Sequence, residues 1–307
     1  MDDRATMSDS RNSILSLLAL AHAESLPALS CADICGLLPA SHAKRTAQEE
    51  ISSLLVRLEK EGIIVSRDGW YALTKAPDVD EVKKRIEISR QKIARNRFFF
   101  FLMQIIPFME AAAITGSVSM KNASEKSDID IFCVVKKGRI WTSRILLLFL
   151  AELFGKRRER RYSMDKLCFN CFVAPPASFP LHTIAAAHML ARAIPLFGNK
   201  SLETFFTGNS WMKEYVSRPS LAPLIPPSRT LRTISAITAW LLSGIIGAML
   251  ERALAQWQIR RLHRKVIRGS DASGLVLGED VVTLYYPDSK NQTVMTRYND
   301  MLAKIDF

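Results

Sequence analysis

An α+β fold is what this sequence predicts, with a mixed sheet at its centre, a small helix-and-hairpin unit ahead of it and a helical region behind it. Three observations carry that expectation. Short apolar runs at Ala111–Ile114, Ile129–Val135 and Lys166–Val173 are bounded by glycine, proline or polar residues, as buried strands are. Between and before them lie longer stretches with apolar residues at helical spacing, the clearest running from about Lys44 to Glu61 and from Ile140 to Phe154. A third signal is Asp68-Gly69 between two strand-like segments, a pair that tolerates the positive φ angles of a tight hairpin. Composition shifts divide the chain at 1–77, 78–218 and 219–307.

With 307 residues and 48% hydrophobic composition the chain can bury a sizeable core. A formal net charge of +12 favours an anionic partner, whether nucleic acid, nucleotide or membrane surface, without choosing among them. Five cysteines, Cys31, Cys35, Cys133, Cys168 and Cys171, form an odd set behind no secretory signal. That favours a reducing, cytoplasmic setting over a disulfide scaffold. Cys168-x-x-Cys171 has the spacing of a metal clip, but in a regular strand the two thiols face opposite sides, and no second Cys or His pair lies nearby.

Residues 1–10 are polar and expected to fray. Ile14, Leu15, Leu17, Leu18 and Leu20 then form the stripe of a first helix reaching about Ala23, and Ser30 is placed to cap a second through Leu38, stopped by Pro39. The third helix carries Ile51, Leu54, Leu55 and Leu58 on one face, and Gly62 ends it. A hairpin follows over residues 63–74. Three helices and a hairpin resemble a winged helix-turn-helix. Its third helix bears Glu49, Glu50, Glu59 and Glu61 against Arg57 and Lys60, a poor match for phosphate, so docking or dimerisation is favoured over DNA reading.

After the Pro77-Asp78 boundary, Asp80 is expected to cap a long helix from Glu81 to about Glu110, basic in its first half and apolar from Phe98 to Phe108. That helix delivers the chain to the stretch that names a chemistry. An apolar strand leads into Gly116-Ser117, a polar segment follows, and a second strand begins with Asp128-Ile129-Asp130-Ile131. Residues i and i+2 of a strand share a face, so the two carboxylates project together while the isoleucines point into the core. Paired carboxylates need a cation between them, and a hard divalent ion suits oxygen ligands. Gly116 lets backbone N–H groups approach an anion, and Ser117 adds a hydroxyl at a helix start. Together they point to a metal-bound nucleotide.

Thr115-Gly116-Ser117, ten residues and then Asp128-Ile129-Asp130-Ile131 resembles the signature of the DNA polymerase β-like nucleotidyltransferase superfamily, a hydrophobic residue, Gly-Ser, about ten residues and Asp-hydrophobic-Asp-hydrophobic. The likeness covers about residues 98–175. It implies a mixed-sheet nucleotidyltransferase core that moves a nucleoside monophosphate from an NTP to an acceptor hydroxyl of RNA, protein or a small molecule. It also implies that Asp128 and Asp130 are catalytic and hold Mg²⁺ or Mn²⁺, with Gly116 and Ser117 binding phosphate and Ser127 capping or positioning the acidic strand near the nucleotide. The chain departs from the pattern in two places. Ser119, Met120 and Lys121 stand where many relatives have a small residue and a glycine, and the strand at 166–173, which commonly supplies a third carboxylate, offers Asn170, with Asp165 the nearest acid. Asn170 therefore keeps a catalytically weakened nucleotide- or RNA-binding regulator open, beside the winged-helix DNA-binding protein.

The remaining segments are read more plainly. Basic clusters at Lys156–Arg161 and Arg260–Lys265 are candidates for recruiting RNA or another polyanionic acceptor. A helix over Thr183–Arg192 carries His188 and follows His182, but no carboxylate or cysteine at metal spacing accompanies them, so both are read as helix histidines. Phe205–Tyr215 suggests a further helix, and Pro219, Pro223, Pro226 and Pro227 a stiff linker. Thr233–Leu250 is the most hydrophobic segment, barely long enough to span a bilayer and diluted by small and hydroxyl residues. It is expected as one helix buried in the protein or at a homodimer contact rather than in a membrane. The tail, Val276–Ile305, reads as a short strand and a closing helix.

Overall fold

The computed structural model describes residues 3–39, 48–158, 164–217, 222–267, 276–284 and 287–305. Helix α1 (Asp3–Ala23) starts well before the apolar stripe, so the expected frayed end is helical from Asp3. Ile14, Leu15, Leu17 and Leu18 are buried against α2 (Cys31–Leu37) and α3 (Gln48–Lys60), which contributes Ile51, Leu54, Leu55 and Leu58. Ser30 caps α2 in a reciprocal box: its hydroxyl accepts from Asp33 N at 3.1 Å, and its own N–H donates to Asp33 Oδ2 at 3.4 Å. Lys44, the expected start of the third helix, lies outside the described residues. Strand β1 (Leu29–Ser30) joins the hairpin of β2 (Val65–Arg67) and β3 (Trp70–Ala72) in a three-stranded antiparallel sheet of order β1-β3-β2. Asp68 and Gly69 turn that hairpin with φ of 49° and 77°, as their residue types require.

The long helix α4 (Val79–Leu102) is capped by Asp78, which accepts from Glu81 N at 3.1 Å, and not by Asp80. It also ends earlier than expected. A 3₁₀ turn, Met103–Ile105, follows it, and Ile106 is already extended because Pro107 excludes the helical region for the residue before it. The chain enters β4 (Met109–Thr115) where the sequence pattern still looks helical.

From β4 the chain passes through the one-turn helix α5 (Gly116–Ser119) to β5 (Ile129–Val135). Helix α6 (Ile140–Leu153) then crosses over to β6 (Leu167–Val173), so that β5 and β6 are parallel. Next come α7 (Ile184–Ala191), β7 (Ile194–Phe197) and α8 (Asn199–Gly208), the last followed by a 3₁₀ turn at Ser210–Glu214 where one helix over Phe205–Tyr215 was expected. β7 had no signal in the sequence, since Pro195 interrupts it; proline is tolerated there because β7 is the edge strand beside β4. Two strands, β8 (Val276–Leu277) and β9 (Val281–Thr283), replace the single one expected in the tail. The six-stranded mixed sheet has the order β7-β4-β5-β6-β9-β8. One face packs Ile129, Ile131, Cys133, Leu167 and Phe169 under α4 and α6, and the other packs Phe132, Val134, Cys171 and Val173 under α7 and α8.

Two further helices follow, α9 (Arg229–Leu241) and α10 (Ile245–Ile267), and they bend by 94° where one buried helix was expected. No single helix among the described residues is long and apolar enough to cross a membrane. The last helix, α11 (Pro287–Leu302), returns to α1, burying Tyr298 with Val294 and Met301 packed beside it. Packing thus crosses the boundary at residue 219: α10 seats on α6, β9 extends the central sheet, and α11 closes the N-terminal unit.

Candidate functional site

The site is built where β4 ends and β5 begins. Antiparallel pairing sets Thr115 opposite Asp130, which brings the Gly-Ser turn against the acidic strand. Gly116 has φ +68°, and a Cβ there would run into the Asp130 carboxylate, so any other residue would be strained and would push that carboxylate aside. Ile129 and Ile131 are fully buried on the far side, and Asp128 and Asp130 remain partly accessible, as the alternation requires. Ser117 is half-buried in the first turn of α5, where its carbonyl accepts from Asn122 N at 2.8 Å. Thr115 Oγ1, wholly buried on the acidic face, has no hydrogen-bond partner.

Opposite the acids lies β6, and there the register changes. Asp130 pairs with Cys168, yet Phe132 pairs with Cys171, so β6 carries one extra residue, a bulge. The bulge turns Cys168, Asn170 and Cys171 to one face of the sheet. The expectation that the two thiols face opposite sides is therefore wrong for this strand, although the only cluster of possible metal ligands among the described residues contains Cys168 and not Cys171. That cluster is Asp128, Asp130 and Cys168, each with a ligating atom within 4.8 Å of the others. Asn170 Nδ2 donates to Asp130 Oδ1 at 3.2 Å, and Cys168 Sγ donates to Asn170 Oδ1 at 2.9 Å. Burial, with Asp130 and Asp128 adding to it, pushes the Cys168 thiol up to about 12, so it is a neutral donor and not a thiolate.

Arg158 completes the constellation. Its Nη1 sits 2.7 Å from Asp128 Oδ2 and donates to Cys168 Sγ at 3.3 Å. The Asp128 contact is a charge contact and not an aligned hydrogen bond, since Oδ2 is buried with no hydrogen-bond partner. Partial burial works against the guanidinium charge, but Cys168 and both acids outweigh it and raise the Arg158 pKa. Arg158 arrives because Lys156 and Arg158 hydrogen-bond through their backbones to Leu167 at the start of β6. Sequence reasoning grouped it with a basic loop; its partner lies 30 residues away, with no local signal. Arg157 pairs with Glu152 at 3.0 Å, and residues 159–161 of that cluster lie outside the described residues. In the second cluster Arg260, Arg261 and Arg264 are exposed on α10, and the Lys265 side chain is outside the described set.

Asp165 is placed elsewhere. Its carboxylate meets Lys92 Nζ at 2.7 Å and Arg95 Nη1 at 3.0 Å, both on α4. Burial acts to raise its pKa, but the two cationic partners prevail and hold it below the usual carboxylate range. Lys92, 2% exposed, also donates to the carbonyls of Glu125 and Ser127, each at 2.9 Å. This lysine thus ties the loop before β5 to the turn before β6. Ser127 works within the same loop: its hydroxyl accepts from Ser124 N at 3.0 Å, which closes the turn ahead of Asp128. His188 is buried in α7 and His182 stacks on Trp211; neither reaches the acids.

Compared with protein-family models, curated proteins and solved structures, the chain matches none.

Proposed function

We propose that the chain is a nucleotidyltransferase that moves a nucleoside monophosphate from an NTP to an acceptor hydroxyl. The observation that carries this reading is the contact of Gly116 with Asp130, which makes one site of two motif halves separated by ten residues. The donor set fits a hard divalent cation: two carboxylates on one strand face, an arginine on Asp128 as the present counter-charge, and a glycine whose missing side chain lets the backbone of the Gly-Ser turn lie against Asp130. Mg²⁺ or Mn²⁺ held by Asp128 and Asp130 would neutralise phosphate charge and lower the pKa of an attacking hydroxyl. Gly116 and Ser117 face the phosphates with backbone N–H groups and a hydroxyl. Asn170 orients Asp130 by donating to its Oδ1, and Arg158 supplies positive charge that an incoming polyphosphate can share with Asp128. Ser127 acts by shaping the loop, because its hydroxyl is engaged with Ser124.

A second reading, a binding-only regulator, rests on one specific feature. The strand that faces the acids offers an amide at Asn170 and a protonated thiol at Cys168 where a further carboxylate would strengthen hydroxyl activation. The unit at residues 3–73, with three helices among its described residues and a three-stranded sheet, fits a winged-helix module that docks rather than reads DNA, given the acids of α3. Incubating the protein with each labelled NTP, Mg²⁺ or Mn²⁺, and cellular RNA and protein tests the proposal. Label should transfer to an acceptor, and Asp128→Ala and Asp130→Ala should each abolish it with the circular dichroism unchanged. Wild-type transfer by the double variant would place the chemistry elsewhere; metal-dependent binding without transfer would favour the regulator.

A further inference from the structure

The bend between α9 and α10 presents a surface that the nucleotidyl site does not use. Helix α9 has no fully buried residue, and its amphipathicity is inverted. Ser235 faces the protein, donating to Ile106 O at 2.9 Å, while Ile237, Trp240 and Leu241 face outward. Across the bend Ile245, Ile246 and Met249 are also exposed, with Trp240 at 74%, Ile245 at 82% and Ile246 at 81% of their possible exposure. Apolar side chains seldom cluster so openly on a surface without a partner.

The bend is built, not frayed. A Cβ at Gly247 would strike the backbone carbonyl of Leu242, so glycine alone permits the two helix ends to meet. Arg139 Nη2 holds the turn by donating to Ser243 O at 2.8 Å, and the Ser243 hydroxyl caps Trp240 O at 2.6 Å. Below the bend, the buried Glu251 carboxylate accepts from Trp141 N and Thr142 N, both at 2.8 Å, at the start of α6. One turn-set further on, Gln258 donates to Trp141 O at 3.0 Å and accepts from Arg144. Apolar side chains are thus held outward by polar anchors on the inner face.

Charge selects the occupant. Arg229 and Arg232 flank the apolar tip on α9, Arg252 flanks it on α10, and the same outward side continues to Trp257, Arg260 and Arg261, all exposed. Two copies of this chain meeting through the tip would set these arginines against one another, whereas an anionic lipid surface would neutralise them. An apolar tip with tryptophan and a flank of arginines is the composition of a helix that lies in a membrane interface. We infer that the α9–α10 bend inserts into the headgroup region of an anionic membrane, anchoring the protein on that surface without spanning it.

Flotation with vesicles of phosphatidylcholine alone and of phosphatidylcholine with phosphatidylglycerol tests this on the full chain. The protein should float with the anionic vesicles at least tenfold more than with the neutral ones, and rising salt should weaken that binding. Trp240→Glu with Ile245→Glu should abolish flotation, and Arg229→Glu with Arg232→Glu should remove the preference for anionic lipid. These positions are exposed, so the melting temperature should be unchanged, and nucleotide binding measured without lipid should match wild type. That second readout separates failure of the anchor from failure of the nucleotidyl reading. Absence of flotation, flotation that survives the tip substitutions, or a dimer in solution that they dissolve would each overturn the inference.

Discussion

Gly116→Ala and Gly138→Ala form a matched pair. Both glycines have φ +68°, so alanine at either position costs about 1–2 kcal/mol of backbone strain. They differ in what the new methyl meets: nothing within 4 Å at Gly138, the Asp130 carboxylate at Gly116. Subtracting one variant from the other removes the strain and leaves the displacement of Asp130. Urea unfolding should show Gly138→Ala losing about 1–2 kcal/mol and Gly116→Ala losing a similar amount or more. Titration with a fluorescent NTP and Mn²⁺ should show near wild-type affinity for Gly138→Ala. For Gly116→Ala it should be at least tenfold weaker, about 1.4 kcal/mol. Equal nucleotide affinity in the two variants would refute the claim that Gly116 serves Asp130.

Two other predictions concern the surroundings of the site. Asn170→Asp should raise basal transfer, because it replaces the amide on Asp130 by a further anionic ligand; unchanged transfer would leave the amide without a catalytic cost. Asp165→Ala should lower stability by less than the ~3–5 kcal/mol of a fully buried pair, since Lys92 keeps two carbonyl partners, and should spare transfer per folded molecule. Loss of transfer without loss of stability would return Asp165 to the site. For acid stability, burial pushes the His188 ring down to about 3, with Arg192 adding to the shift. An unfolded histidine binds its proton near pH 6.5, so the unfolded state holds more protons below that pH, and stability is lost as pH falls from 6.5 towards 3. Glu24 acts in the opposite sense: burial raises it to about 7, so its contribution is lost as pH rises from 4.5 to 7. His188→Met should therefore lose less stability than wild type between pH 6.5 and 4.5. Parallel curves would contradict the assignment.

What the sequence disclosed, and what it withheld, follows from the range of the interactions. Period-2 alternation placed Asp128 and Asp130 together because strand geometry is local, and Asp68-Gly69 announced its hairpin for the same reason. The bulge in β6 is not local. It arises from pairing with β5, and it turned Cys168 and Asn170 toward the acids together with Cys171. Arg158 and Lys92 were similarly silent, one reaching Asp128 across 30 residues and the other Asp165 across 73. Apolar content suggests helix up to Glu110, but Pro107 forces extended backbone at Ile106 before it. The apolar stretch at 233–250 misled in the other direction. Hydrophobicity implied burial, while Gly247 allows the bend that leaves it exposed.

The central claim is that Asp128 and Asp130 together hold a divalent cation with a nucleotide. Electron paramagnetic resonance of Mn²⁺ tests it without an acceptor. Free Mn²⁺ signal should fall when wild-type protein is added with ATP, by more than ATP alone accounts for, and the extra binding should vanish in Asp128→Asn with Asp130→Asn while the thermal transition persists. Undiminished Mn²⁺–ATP binding by that folded double variant would contradict the account.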